Sequence, residues 1–163
     1  MLEESFDPNL DSDFRVVLKK LSKKDNLTKL KALDELKNLI EIKSVEECVL
    51  ILPYWTKSYT KLVLDMNRKI REQCQLNHEK IVFKVNKNIA SYLKTLVPYW
   101  ILAQSDSYMP TSRLAESSFQ NTFNDNKRPE VVYFAREEII NVCINFFVFS
   151  FKYKCINLFL GFI

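Results

Sequence analysis

A four-residue phrase occurs twice in this chain, Leu52-Pro53-Tyr54-Trp55 and Val97-Pro98-Tyr99-Trp100, 45 residues apart. A second phrase also repeats: Asp25-Asn26-Leu27-Thr28-Lys29-Leu30-Lys31 and Asp65-Met66-Asn67-Arg68-Lys69-Ile70-Arg71 share an aspartate, four residues, an aliphatic and a cation. Self-similarity at about 40 to 47 residues is what stacked helix pairs produce, because one pair cannot bury its apolar face without neighbours. The expected fold is all-α, a HEAT/armadillo-like right-handed helical solenoid of stacked antiparallel helix pairs.

The helical pattern begins at Asp11, where Phe14, Val17, Leu18 and Leu21 recur on one face and Asp11, Ser12 or Asp13 is available as a cap. After a break at Lys23 to Asn26, Leu27, Leu30, Leu33, Leu36 and Ile40 form a second stripe, opened by Asp25 or Asn26, so the two helices make an antiparallel hairpin. Ser44 and Glu47 read as a capping box before the apolar run Cys48 to Trp55. Pro53 inside that run is expected to kink the helix or end its first segment, and Pro98 repeats the arrangement. Asp65 to Val85 reads as the partner helix with Asp65 as its cap, Lys87 to Gln104 as the next helix, and Pro110 as the first turn of a helix reaching about Phe123. A last helix starts at Pro129 and carries Val132, Ala135, Ile139, Ile140 and Cys143. Residues 1–10 are expected to be a flexible amino terminus, 11–147 the repeat domain, and 148–163 an apolar tail.

That tail has no amphipathic period. A membrane span needs about 20 apolar residues, and Lys152 with Lys154 interrupts this stretch. It reads as a truncated or aberrant chain end rather than a membrane anchor, with a β-hairpin-like or core segment awaiting the next repeat as the alternative.

Composition removes whole classes of function. Gly161 is the one glycine, so no phosphate-cradling loop or dinucleotide fold can be written, since both need glycine where backbone amides approach a ligand. Cys48, Cys74, Cys143 and Cys155 lie far apart with one histidine, His78, which excludes a zinc site by spacing. The opening residues are acidic at Glu3, Glu4 and Asp7, without the apolar core of a secretory signal, so a reducing cytosol and structural thiols are expected.

The net charge of +4 is unevenly spread. Residues 57 to 94 hold nine Lys or Arg against three acids, and Lys19, Lys20, Lys23 and Lys24 cluster at the end of the first helix. Such cations form a stripe that meets phosphates or acidic proteins, or else a solvated helix face. His78 beside Glu79 lacks a nucleophile or third member at any usable spacing, so it is expected on a helix surface and no catalytic residue is assigned. Trp55 and Trp100 could stack on bases, but apolar neighbours such as Leu52 and Leu102 argue for core positions. Asp25, Asp65, Arg71, Pro53, Trp55, Pro98 and Trp100 are read as structural residues between repeats, because the aspartate and arginine of such a signature form a ladder between adjacent HEAT units. Arg68 and Lys69 are freer to face a partner.

The stretch Asp11 to Leu39, with its Phe14-x-x-x-Leu18-Lys19-Lys20-Leu21-x-Lys23-Lys24-Asp25 core, followed by Ile51-Leu52-Pro53-Tyr54-Trp55 and Asp65-Met66-Asn67-Arg68-Lys69-Ile70-Arg71, resembles the amino-terminal domain of the listerin family over about residues 5 to 147. These are large RING-type ubiquitin-protein ligases of ribosome-associated quality control. The resemblance implies a parent protein that ubiquitinates stalled nascent chains on large ribosomal subunits, with this domain docking on the subunit, on RNA and protein, beside nuclear export mediator factor. It also implies that a ubiquitin-conjugating enzyme is recruited only through a RING absent from this chain. That element takes zinc on eight Cys or His residues, whereas four cysteines and one histidine are present here. No cofactor and no catalytic activity are therefore expected of this stretch alone, which would act as a cytosolic monomer docking through Lys19, Lys20, Lys23, Lys24, Arg68 and Lys69. A generic HEAT scaffold that binds acidic proteins is the alternative.

Overall fold

Helix α1 (Ser12–Leu21) opens where the Asp11 carboxylate accepts the free amides of Asp13 and Phe14, and it buries Phe14, Val17, Leu18 and Leu21, the expected stripe. The computed structural model describes residues 6–146. Residues 6–10, expected to be flexible, are tied to the body. Tyr54 Oη accepts from the Asp7 amide at 2.8 Å, Phe6 packs on the Tyr54 ring, Leu10 is buried, and Arg15 donates to the carbonyls of Asp7, Pro8 and Leu10.

The chain turns back as α2 (Asn26–Ile42), capped by Asp25 through the Thr28 amide. Leu33, Leu36 and Ile40 are buried as expected, but Leu27 is exposed, because it stands in the first turn before the stripe has swung onto the core. The capping box of Ser44 and Glu47 forms and starts α3 (Val45–Leu50). Pro53 ends that segment rather than bending it, since α4 (Leu52–Leu62) begins afresh with the proline in its first turn, where no amide donor is needed. Pro98 behaves differently and lies buried inside α6 (Leu93–Gln104).

Helix α5 (Arg68–Val85) is not capped by Asp65. Asn67 takes that role through the Lys69 amide, while Asp65, two residues earlier, accepts the Asn67 amide at its Oδ1. The helix expected from Lys87 starts instead as a 3₁₀ stretch, Asn86–Tyr92, because Asn86 takes φ 49° and ψ −122° and breaks the α ladder. Helix α7 (Met109–Thr122) has Pro110 in its first turn, and α8 (Lys127–Phe134) is followed by a break at the buried Ala135 and further helical residues 136–146. The single helix expected from Pro129 is thus two pieces. The tail 148–163 lies outside the described residues.

Three antiparallel pairs result: α1 with α2, α3–α4 with α5, and α6 with α7. Helices α2, α5 and α7 run side by side in one direction: Asn77 Nδ2 donates to the Leu33 carbonyl and Lys80 pairs with Glu41 along α2 and α5, while Arg71 meets Asp106 just before α7 and Val82 and Asn86 share a cleft with Asn121 and Thr122 at its end. Helices α1, α4 and α6 form the second layer, and between the layers lies one core, into which each repeated tryptophan projects. Among the described residues the structure has no strand. The all-α solenoid of stacked pairs stands.

Candidate docking surface

Because α2, α5 and α7 are parallel, the three turns that precede them lie along one edge of the array. These are the α1–α2 turn at Lys23 to Asp25, the α4–α5 turn at Leu64 to Asn67, and the α6–α7 turn at Ser105 to Tyr108. Charged side chains hold them together. Lys29 in the first turn of α2 pairs with the Asp65 carboxylate, and Arg71 grips Asp106 with both arms, at 2.6 Å from Nε and 2.9 Å from Nη2. Arg71 Nη1 also donates to the Asp65 carbonyl at 2.8 Å, so one guanidinium bridges two turns. Burial opposes the ionisation of Asp106, but the Arg71 hydrogen bond, the Tyr108 amide and the guanidinium charge together hold its carboxyl below the usual range. The expected ladder of Asp65 and Arg71 exists, but the two residues do not pair side chain to side chain.

Asp106 follows Asp65 by about the interval that separates Asp65 from Asp25, and its Oδ1 accepts the Tyr108 amide as that of Asp65 accepts the Asn67 amide. It is a third copy of the signature aspartate. The signal was present in the spacing but lacked the aliphatic and cation that follow the other two, since Thr111 and Ser112 stand there. Asp25 itself makes only a local cap, with the Thr28 hydroxyl and amide lowering its carboxyl pKa, and it has no ladder role among the described residues.

The six candidate docking cations separate into distinct environments. Lys19 lies over the Phe6 ring, its Nζ 5.8 Å from the centroid, and Lys20 is bound to Glu35 at 2.7 Å. Lys23 and Lys24 are exposed in the first turn without an ion pair among the described residues. Arg68 and Lys69 both approach the ring of Tyr108, at 5.1 and 5.6 Å from its centroid, and Lys69 also pairs with Glu72, which raises its pKa together with Tyr108. The structure therefore brings Lys23, Lys24, Arg68 and Lys69 to one edge and engages Lys19 and Lys20 elsewhere. Apolar side chains on the same turns stand in solvent: Met66 is 96% exposed, Leu27 61%, Met109 59% and Leu64 47%. Spacing alone hid these, since each falls within or beside an otherwise ordinary helix pattern.

Behind the edge, the two tryptophans occupy the core, as their neighbours implied. Trp100 Nε1 donates to Ser118 Oγ at 2.9 Å and to the Ala115 carbonyl, and Trp55 Nε1 donates to His78 Nδ1 at 3.3 Å. His78 is not on a helix surface. It is 0% exposed, stacked on Tyr59 and edge-on to Trp100, and burial pushes its pKa down to about 3. Desolvation likewise raises the pKa of the buried Cys48 and, well above the ordinary thiol value, Cys74. Among the described residues no group of His, Cys, Asp and Glu could hold a metal ion, and no helix is long and apolar enough to cross a membrane.

Residues 8–150 match the family described as E3 ubiquitin-protein ligase listerin, N-terminal domain. Among curated proteins, the chain is 42% identical over 139 residues to the E3 ubiquitin-protein ligase listerin of Gallus gallus and 43% identical over 139 residues to that of Mus musculus. The Drosophila melanogaster listerin is 39% identical over 141 residues. In each case the match covers 85% of this chain and 8% of the relative, so the chain spans a small part of the proteins it resembles.

Proposed function

Because this chain belongs to the listerin family of E3 ubiquitin-protein ligases, whose N-terminal domain it carries, we propose that it is the module by which such a ligase docks on the large ribosomal subunit. In this reading the parent protein acts in cytosolic ribosome quality control, marking stalled nascent chains with ubiquitin for degradation. The module sits beside nuclear export mediator factor, and a zinc-holding RING elsewhere in the polypeptide recruits the ubiquitin-conjugating enzyme. Family membership supplies the parent activity. What the chain itself contributes is the edge of three parallel turns, where Lys23, Lys24, Arg68 and Lys69 gather on a scaffold locked by Lys29–Asp65 and Arg71–Asp106. That gathering of exposed cations on one rigid margin is the observation that carries the docking role.

Co-sedimentation of the full 163-residue chain with purified large subunits tests it. The expected result is pelleting at low salt that weakens when Lys23 and Lys24 are reversed to glutamate. Absence of pelleting under any salt condition overturns ribosome docking and favours a scaffold that binds other proteins.

A further inference from the structure

Resting on the reading of this margin as a docking face, we propose that its direct ligand is an acidic, amphipathic segment of a partner protein rather than RNA. The first ground is apolar. Leu27, Leu64, Met66 and Met109 are all exposed, from 47% to 96%, on three neighbouring turns, where single scattered apolar residues would need no explanation but a group does. Phosphodiesters bring no aliphatic groups to cover them. Two of the four are methionines, whose unbranched and polarisable side chains adapt to an irregular partner surface.

The second ground is the state of the charges. Arg71 and Lys29 are already matched by Asp106 and Asp65 in shielded pairs, and the exposed Lys69 is shared with Glu72, so the field open to a ligand comes mainly from Lys23 and Lys24 at one end and from Arg68, with part of Lys69, beside Tyr108 at the other. Of the margin's acids, Asp65 and Asp106 are matched by the cations just named, while Asp25 keeps its charge beside Lys23 and Lys24 with its carboxylate turned to the amide and hydroxyl of Thr28. The amino ends of α2, α5 and α7 point the same way and add positive partial charge. Exposed apolar side chains on three adjacent turns, with sparse cations among them, are complementary to apolar side chains flanked by carboxylates. A stacking platform for bases is not offered, because the ring of the margin's aromatic, Tyr108, is approached by both Arg68 and Lys69.

The test uses the full chain, isotope-labelled for NMR, with two probes: a synthetic helical peptide with leucines on one face and glutamates on the others, and oligouridylate. The expected result is saturable binding of the peptide with shifts centred on residues 27, 64–69 and 107–110, weakened at least about tenfold by Met66→Asp with Met109→Asp. Both side chains stand in solvent, so an unchanged thermal midpoint will show that the fold is intact. Peptide binding that ignores these substitutions, or oligouridylate that shifts the same resonances when the peptide does not, overturns the inference. Subunit pelleting is read separately. Pelleting lost in Lys23→Glu with Lys24→Glu but kept in the methionine variants leaves docking in place and makes the contact RNA. A wild type that never pellets but binds the peptide in a methionine-dependent way removes the ribosome and keeps the ligand class.

Discussion

Trp55 gives its indole N–H to Nδ1 of His78 at 3.3 Å, and the same imidazole lies 4.1 Å from the Tyr59 ring centroid and 4.3 Å from that of Trp100. One histidine therefore joins the aromatic residues of two successive helix pairs. Accepting from Trp55 places the imidazole hydrogen on Nε2, which is buried without a partner. A second proton would make a buried cation with no carboxylate beside it, and this is why burial drives the pKa to about 3.

The pH dependence of stability follows with a definite sign. The unfolded histidine takes up a proton near pH 6.5, whereas the folded one stays neutral to about 3, so stability is full above pH 6.5 and is lost as pH falls through that window. The slope contributed is up to about 1.4 kcal/mol per pH unit. Urea unfolding of the wild type and His78→Gln at a series of pH values from 7.5 to about 4 isolates it, because the carboxylates titrate alike in both. Parallel curves for the two proteins would show that His78 is not held neutral.

The two-armed grip of Arg71 on Asp106 predicts that lysine is a poor replacement. Both side chains are largely buried, and a single ammonium cannot reproduce two parallel hydrogen bonds and the third to the Asp65 carbonyl. Arg71→Lys is expected to cost about 1.5–3 kcal/mol, with Asp106→Asn similar and the double variant less than their sum. A double-mutant cycle by chemical denaturation checks it, and additivity would sever the pair.

Lys29 and Lys31 offer a sharper contrast, because both stand near the signature aspartates in sequence. Lys29 is the one paired with Asp65, and both partners are mostly buried, while Lys31 is exposed. Lys29→Met is expected to destabilise by about 1–3 kcal/mol and Lys31→Met by less than about 0.5. Equal thermal shifts for the two would contradict the assignment.

That contrast marks what the sequence could and could not reveal. Helix faces such as Phe14 to Leu21, the Ser44–Glu47 box, the core role of Trp55 and Trp100, and the resemblance to the listerin family were all legible, because each depends on local spacing or on a repeated phrase. Misread features depend on what packs across the array. Lys31 matches Arg71 in the repeat, yet Lys29, two positions earlier, reaches the next turn. His78 looks like any polar residue on a helix until α4 and α6 close over it. Asp65 carries the mark of a cap but is drawn away from the helix by Lys29, leaving Asn67 to cap in its place.

Asn86 holds backbone angles of φ 49° and ψ −122°, the first corner of a type II′ turn, which is a glycine conformation. Asn86→Gly is expected to stabilise by about 1 kcal/mol, since relief of a Cβ clash exceeds the added freedom of the unfolded chain. A thermal midpoint that falls would mean that Asn86, which lines a cleft with Val82, Phe83, Asn121 and Thr122, contributes more through its side chain than the backbone loses.

The ion pairs that join successive helix pairs are unequal on the two margins, although Lys43–Asp11 closes the first pair in a shielded contact. On the turn edge, Lys29–Asp65 and Arg71–Asp106 are shielded from water, whereas towards the opposite margin the α2–α5 pairing of Lys80 with Glu41 is open to solvent and to counterions. The stack is therefore bound like a book, with its spine along the turns. Ionic strength will weaken the exposed Lys80–Glu41 contact before the shielded pairs of the spine, while the apolar core between the layers keeps the pages together.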